Sequence, residues 1–188
     1  MAEKTRSRSI AIQPTVSRPE LLVENSDRAF RQFVHDMLAF SARLQQVRNH
    51  LGQVIGLSGT QYTVLIAIAH LQGEDEKVGV NLVADHLHFS GAFITIEINK
   101  LVVAGLVEKE TDSVDRRRVV LTITPKARAL LNELAPVQRP ANDLLYSSLS
   151  AKDFERMRKI MSGLVETADQ AINLLEYTSP IVTARSAK

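Results

Sequence analysis

Apolar residues recur at steps of three and four from Ser26 to about Ile55, through Phe30, Phe33, Val34, Met37, Leu44, Leu51, Val54 and Ile55. That spacing predicts one long helix with Ser26 as its N-cap. Gly56–Thr60 breaks it, and Gln61–Leu71 (QYTVLIAIAHL) is apolar nearly all round, as a buried core helix must be. The polar run QGEDEK, 72–77, reads as a solvated loop.

Leu82, Val83 and Leu87 predict a short helix, and Phe89-Ser90-Gly91 a tight turn with Ser90 capping the next helix. That helix places Ile94, Ile98 and Leu101 on one face and ends at Gly105, the left-handed position that favours glycine. Two short helices joined by a few residues containing Gly are a helix-turn-helix. A strand at Val107–Thr111, a charged loop, and the alternating Val119–Ile123 run continue the unit into a β-hairpin, which makes it a winged helix.

After Pro125 a helix runs through Leu130, Leu131 and Leu134, with Pro136 and Pro140 expected to kink or interrupt it. Ser150 caps a last helix with Asp153 in its first turn. Phe154, Met157, Met161, Leu164, Ala168, Ala171 and Leu175 then form a heptad-like seam, widened by Ile160, Val165 and Ile172. The predicted class is mainly α with a small β-hairpin wing: a winged helix-turn-helix flanked by N- and C-terminal dimerisation helices. Residues 1–24 are expected to be a disordered basic tail and 25–178 a single domain. Within that domain the winged helix spans about 57–127 and the dimerisation helices about 26–55 and 126–177; 179–188 is expected to be a flexible tail.

Of the 188 residues 45% are hydrophobic and 23% charged, an ordinary soluble composition. The chain has no cysteine, so thiol chemistry and a disulfide scaffold are excluded; this fits a cytoplasmic, nucleoid-associated location. The opening twenty residues lack the apolar core of a signal peptide. The net charge of +2 changes meaning when divided: residues 21–179 hold 17 basic against 19 acidic residues. Seven of those 17, Lys100, Lys109, Arg116, Arg117, Arg118, Lys126 and Arg128, fall within 100–128. Such clustering is an electrostatic footprint for a polyanion.

The segment GLVEKETDSVDRRRVVLTITPKA, 105–127, resembles the MarR family of bacterial transcription regulators. Gly105, Leu106 and Val107 match the family's Gly-Leu-Val; Asp115 and Arg117 match its Asp-x-Arg wing. Ile123, Thr124 and Ala127 match its Leu-Thr-x-x-Gly with Ile for Leu and Ala for Gly. Where family recognition helices often read Val-Thr-Arg, this chain has Ile94, Thr95 and Ile96, which removes an arginine able to grip guanine and offers Ile96 to a thymine methyl. The resemblance covers roughly 28–177. It implies a homodimer astride a pseudo-palindromic double-stranded operator, released by a small aromatic acid or an acyl-CoA thioester, with no obligatory cofactor.

Arg117 is expected in the minor groove with Asp115 as its orienting partner, and Arg116 and Arg118 on phosphates. Ser90, Thr95, Ile96, Asn99 and Lys100 are the expected contacts of the recognition helix. Phe30, Phe33, Phe40, Arg43 and Tyr62 are the candidate ligand pocket, weighed against plain core and dimer packing. His86 and His88, at i,i+2, diverge around a helix and are rejected as a metal pair. No Gly-x-Ser-x-Gly, phosphate-cradling Gly-rich loop or His-Glu-x-x-His is present, so no enzyme is expected. The alternative is a winged helix serving as a protein–protein adaptor.

Overall fold

The computed structural model describes residues 13–73, 77–112 and 115–186. The elements run α1 (Arg28–Val54), α2 (Gly59–Gln72), α3 (Val80–Leu87), α4 (Gly91–Val103), β1 (Val107–Thr111), β2 (Val119–Ile123), α5 (Pro125–Leu145) and α6 (Ala151–Ser186). They fall into two compact units, one ending at Val137 and the other beginning at Gln138.

The first unit is built around α2. Ser58 Oγ accepts from Gln61 N while Gln61 Oε1 accepts from Ser58 N, a reciprocal capping box. Tyr62, Leu65 and Ile68 of α2 bury completely with Ile94, Ile98 and Leu101 of α4, Leu121 of β2 and Leu134 of α5. Each such side chain is worth about 1.5–3 kcal/mol of burial. The crossing of α1 on α2 is tight: a Cβ added to Gly59 would fall 2.9 Å from Asn49 Cα.

β1 and β2 pair antiparallel with Val107 opposite Ile123 and Thr111 opposite Val119. The inward residues Val107, Leu121 and Ile123 are buried, as the alternation predicts. Leu121 N donates to Val78 O (2.8 Å), which stitches the hairpin to the segment entering α3. Buried Thr124 starts α5: its Oγ1 donates to Gly105 O (2.9 Å) and accepts from Ala127 N (3.1 Å). Ala127 is fully buried, so its methyl fills core space where the family pattern has glycine.

Several expectations are corrected. Asp27, rather than Ser26, is the N-cap of α1; Ser26 Oγ accepts from Arg28 N at 3.2 Å. The tail expected to be disordered through residue 24 is folded from residue 13, with a 3-10 turn at Pro19–Leu21. Asp27 holds it down: its Oδ2 accepts from Thr15 N (2.6 Å) and Thr15 Oγ1 (2.9 Å), and both carboxylate oxygens accept from Arg31 at 2.9 Å. Arg18 lies 3.4 Å from Glu20, while Arg6 and Arg8 lie outside the described residues. α5 runs unbroken through Pro136 and Pro140; each proline removes one backbone donor, and the neighbouring turns hold the helix.

In the helix-turn-helix, the left-handed residue is His88 (φ 53°), while Gly91 is already the first residue of α4. In the second unit, Ser150 and Asp153 cap α6, with Asp153 N donating to Ser150 Oγ (3.2 Å) and Ser150 N to Asp153 Oδ2 (3.3 Å). α6 continues to Ser186 instead of stopping near 177, so the flexible tail expected at 179–188 is helical over most of its length. No single helix among the described residues is long and apolar enough to cross a membrane.

Candidate nucleic-acid interface

Ser90 caps α4 as its sequence predicts, its Oγ accepting from Phe93 N at 3.3 Å. Burial of Ile94, Ile98 and Leu101 turns the opposite face outward. Ile96 is 54% exposed on that face, and Asn99 stands one turn further along it. Thr95 is half-buried and its Oγ1 donates to Gly91 O (2.7 Å), leaving the hydroxyl only its lone pairs to offer. Glu97 does not confront a polyanion: it is 6% exposed and accepts from Lys100 Nζ at 2.7 Å. Lys100 is therefore a partly neutralised cation, weaker toward phosphate than its position suggests.

The wing loop is held at its base by buried Asp112. Its carboxylate accepts from Lys77 Nζ (3.0 and 3.2 Å) and Asp115 N (3.2 Å), and its amide donates to Arg118 O (2.9 Å). Asp115 O in turn accepts from Arg118 N (2.8 Å). Asp115 Oδ1 accepts from Arg117 N (3.1 Å), an Asx-turn contact, and its Oδ2 lies 3.5 Å from Arg118 Nε. The carboxylate thus shapes the turn and pairs with Arg118; it does not orient the Arg117 guanidinium. The two-residue separation brings Arg117's amide, rather than its long side chain, within reach.

The side chains of Arg116 and Arg117 are exposed and have no partner among the described residues. The other cations of the cluster are more occupied. Lys126 Nζ donates to Ala104 O (2.8 Å) at the C-terminus of α4, where a positive charge suits the helix dipole. Lys109 Nζ, on β1, donates to Asn99 Oδ1 on α4. This link between wing and recognition helix was invisible in the sequence, since the two residues meet only once β1 turns back past α4. The aromatic pair Phe89 and Phe93, edge to face at 5.2 Å, is likewise exposed at the start of α4.

The predicted ligand residues do not converge within one chain. Phe30, Phe33, Phe40 and Arg43 are strung along α1 over a rise of about 20 Å. Phe33 and Phe40 are exposed, and Arg43 Nη1 donates to Gln46 Oε1 (3.3 Å). Tyr62 is 1% exposed in the core beneath the Arg48 guanidinium, 5.1 Å from its ring, and burial pushes its phenol above the usual range. A cleft of about 440 Å³ instead lies between the wing and the start of α3, lined by Lys77, Asn81, Asp85, Asp112, Arg117 and Arg118 among others. His70 and His86 approach to 5.6 Å between ring centres, but no group of three metal-ligating side chains exists among the described residues.

A capped helix presenting its outer face beside a hairpin with free arginines defines a winged-helix protein. The family comes from comparison. Residues 55–118 match the model described as MarR family. The chain is 24% identical over 139 residues to the HTH-type transcriptional regulator MhqR of Bacillus subtilis, covering 72% of this chain and 93% of that one. Its fold is similar to that of a mutant MarR from E. coli crystallised with operator DNA (TM-score 0.58, 16% identity, 73% and 94% of the two chains). It is also similar to the transcriptional regulator BldR from Sulfolobus solfataricus (TM-score 0.57, 24% identity, 77% and 96%). Over residues 55–118 the chain is thus similar to the MarR family, and its relative by sequence is a transcriptional regulator.

Proposed function

We propose that the chain is a sequence-specific, double-stranded DNA-binding repressor that acts as a cytoplasmic homodimer and is released by a small aromatic acid or its CoA thioester. The observation that carries the DNA part is the wing tip: the Arg116 and Arg117 side chains are exposed and have no partner among the described residues, and the recognition helix exposes Ile96 and Asn99. Arginines in that state contribute counterion release on phosphates or enter a narrow minor groove.

Apolar exposure supports the dimer. Phe33, Val34, Met37, Leu38 and Phe40 face solvent on α1, and Phe154, Met157, Met161 and Leu164 do so on α6. Patches of this extent ordinarily meet a partner, and a two-fold partner would place two recognition helices on a pseudo-palindromic site. The same stripe supports the effector site, because a second copy laid over Phe33 and Phe40 would enclose a ring that one chain leaves open.

The exposed Phe89, Phe93 and Ile96 favour a second reading, an adaptor that binds protein through α4. Anisotropy of a labelled random duplex between about 50 and 200 mM salt separates the two. A steep loss of affinity with salt supports DNA binding; no binding at any salt supports the adaptor.

A further inference from the structure

We infer that the recognition helix reads thymine: Asn99, with its carbonyl engaged by Lys109, donates to an acceptor on the base edge while Ile96 packs on the 5-methyl group. The inference rests on the DNA-binding reading above and specifies which base edge that site selects.

Lys109 Nζ is an ammonium with three donors and no acceptor. The Asn99 atom that faces it is therefore the oxygen, whichever way the amide would otherwise turn. With Oδ1 engaged, the exposed end of Asn99 is the Nδ2 amide, which donates only. Asparagine recognises adenine by accepting from N6 and donating to N7 together, and that paired contact needs the oxygen aimed at N6. The tether takes one of the oxygen's two lone pairs and turns it toward Lys109, which disfavours the paired contact. What remains suits an edge that accepts: thymine O4, adenine N7, or guanine O6 and N7.

Ile96 chooses among these. It lies three residues before Asn99 on the same outward face, more than half exposed, and its side chain offers only methyl and methylene surface. Thymine presents O4 next to its 5-methyl group, so a donor and an apolar surface one helical turn apart complement that edge. Guanine presents a second acceptor there, and adenine an N6 donor, and Ile96 can satisfy neither. Phe93, exposed one turn before Ile96, extends the apolar surface toward the N-terminus of α4. The positive charges of Lys109, Arg116 and Arg117 nearby make duplex DNA the occupant that fits this apolar strip.

The test selects preferred sequences for the full-length protein from a random duplex pool. It then replaces each selected thymine by uracil, which deletes the methyl and keeps O4. The expected result is a thymine in each half-site whose replacement weakens binding about three- to fivefold, the share of one buried methyl. That penalty disappears in Ile96→Ala, whose fold is checked by circular dichroism. In Lys109→Met the freed Asn99 oxygen admits adenine, and thymine-over-adenine preference at that position falls by about tenfold. A selected site dominated by guanine under α4, or uracil replacement without effect at every position, overturns the inference while leaving DNA binding standing. Failure to retain any duplex overturns the DNA-binding reading itself.

Discussion

Asp115 Oδ2 lies 3.5 Å from the Nε of Arg118, three residues on, while the Arg117 side chain between them extends without a partner among the described residues. The wing thus sorts its three arginines: one closes the loop and two are left to act outside it. Both members of the Asp115–Arg118 pair are at least half exposed, so the pair contributes at most about 0.5 kcal/mol to folding. Arg118→Ala should shift the melting temperature negligibly and weaken DNA binding less than Arg117→Ala does. Parallel melting and anisotropy measurements on the two variants check this ordering.

Acid should loosen the N-terminal segment. Hydrogen bonds from Arg31 and from the Thr15 amide hold the Asp27 carboxyl far below the usual carboxylate range. A carboxyl depressed in the folded state stabilises it above the unfolded value of about 4, and that contribution fades as pH falls toward the folded value. Asp27→Asn should therefore melt earlier than wild type at pH 7, and the gap should narrow steadily below about pH 4. Proteolysis N-terminal to Asp27 should be faster in the variant at neutral pH.

Most of the winged helix was legible because its signals are local. Ser90's cap, the alternation of Val119–Ile123 and the buried face Ile94–Ile98–Leu101 are each set by neighbours a few residues apart. What sequence reading missed depends on distance in the chain. The Thr15–Asp27 anchor spans 12 residues, the Lys77–Asp112 tether 35 and the Ile123–Gln72 bond 51, and no periodicity encodes such pairings. Tyr62 was read two ways, as pocket or as core, for a related reason. An aromatic with a polar tip suits either, and its place under Arg48 in the core is set by a residue 14 positions away.

The dimer is tested on α6. Met161 lies on the exposed apolar face of that helix, between Met157 and Leu164. Met161→Lys introduces a charge that a buried seam cannot hydrate. Sedimentation should show wild type as a dimer at micromolar concentration and the variant as a monomer or unfolded chain that no longer retains an operator. A stable, well-folded wild-type monomer would sink the dimer.

For the effector, a panel of aromatic acids and their CoA thioesters is titrated into a preformed protein–DNA complex. A compound that releases DNA must prefer the unbound dimer; a preference of ~100-fold per site corresponds to about 2.7 kcal/mol. Arg43→Ala should weaken the response to acids and leave DNA affinity unchanged in their absence. Compounds that bind tightly without moving DNA affinity would show that the site is no switch.

The wing's encounter with DNA is the centre of the account, and Arg117→Ala on a selected operator at matched salt addresses it most directly. An exposed hairpin tip contributes little to folding, so the variant should melt with wild type. Its operator affinity should fall by about 1–3 kcal/mol, with Arg116→Ala losing less and showing a salt slope smaller by about one unit. An Arg117→Ala protein that binds its operator as tightly as wild type would contradict the assignment of the wing to DNA.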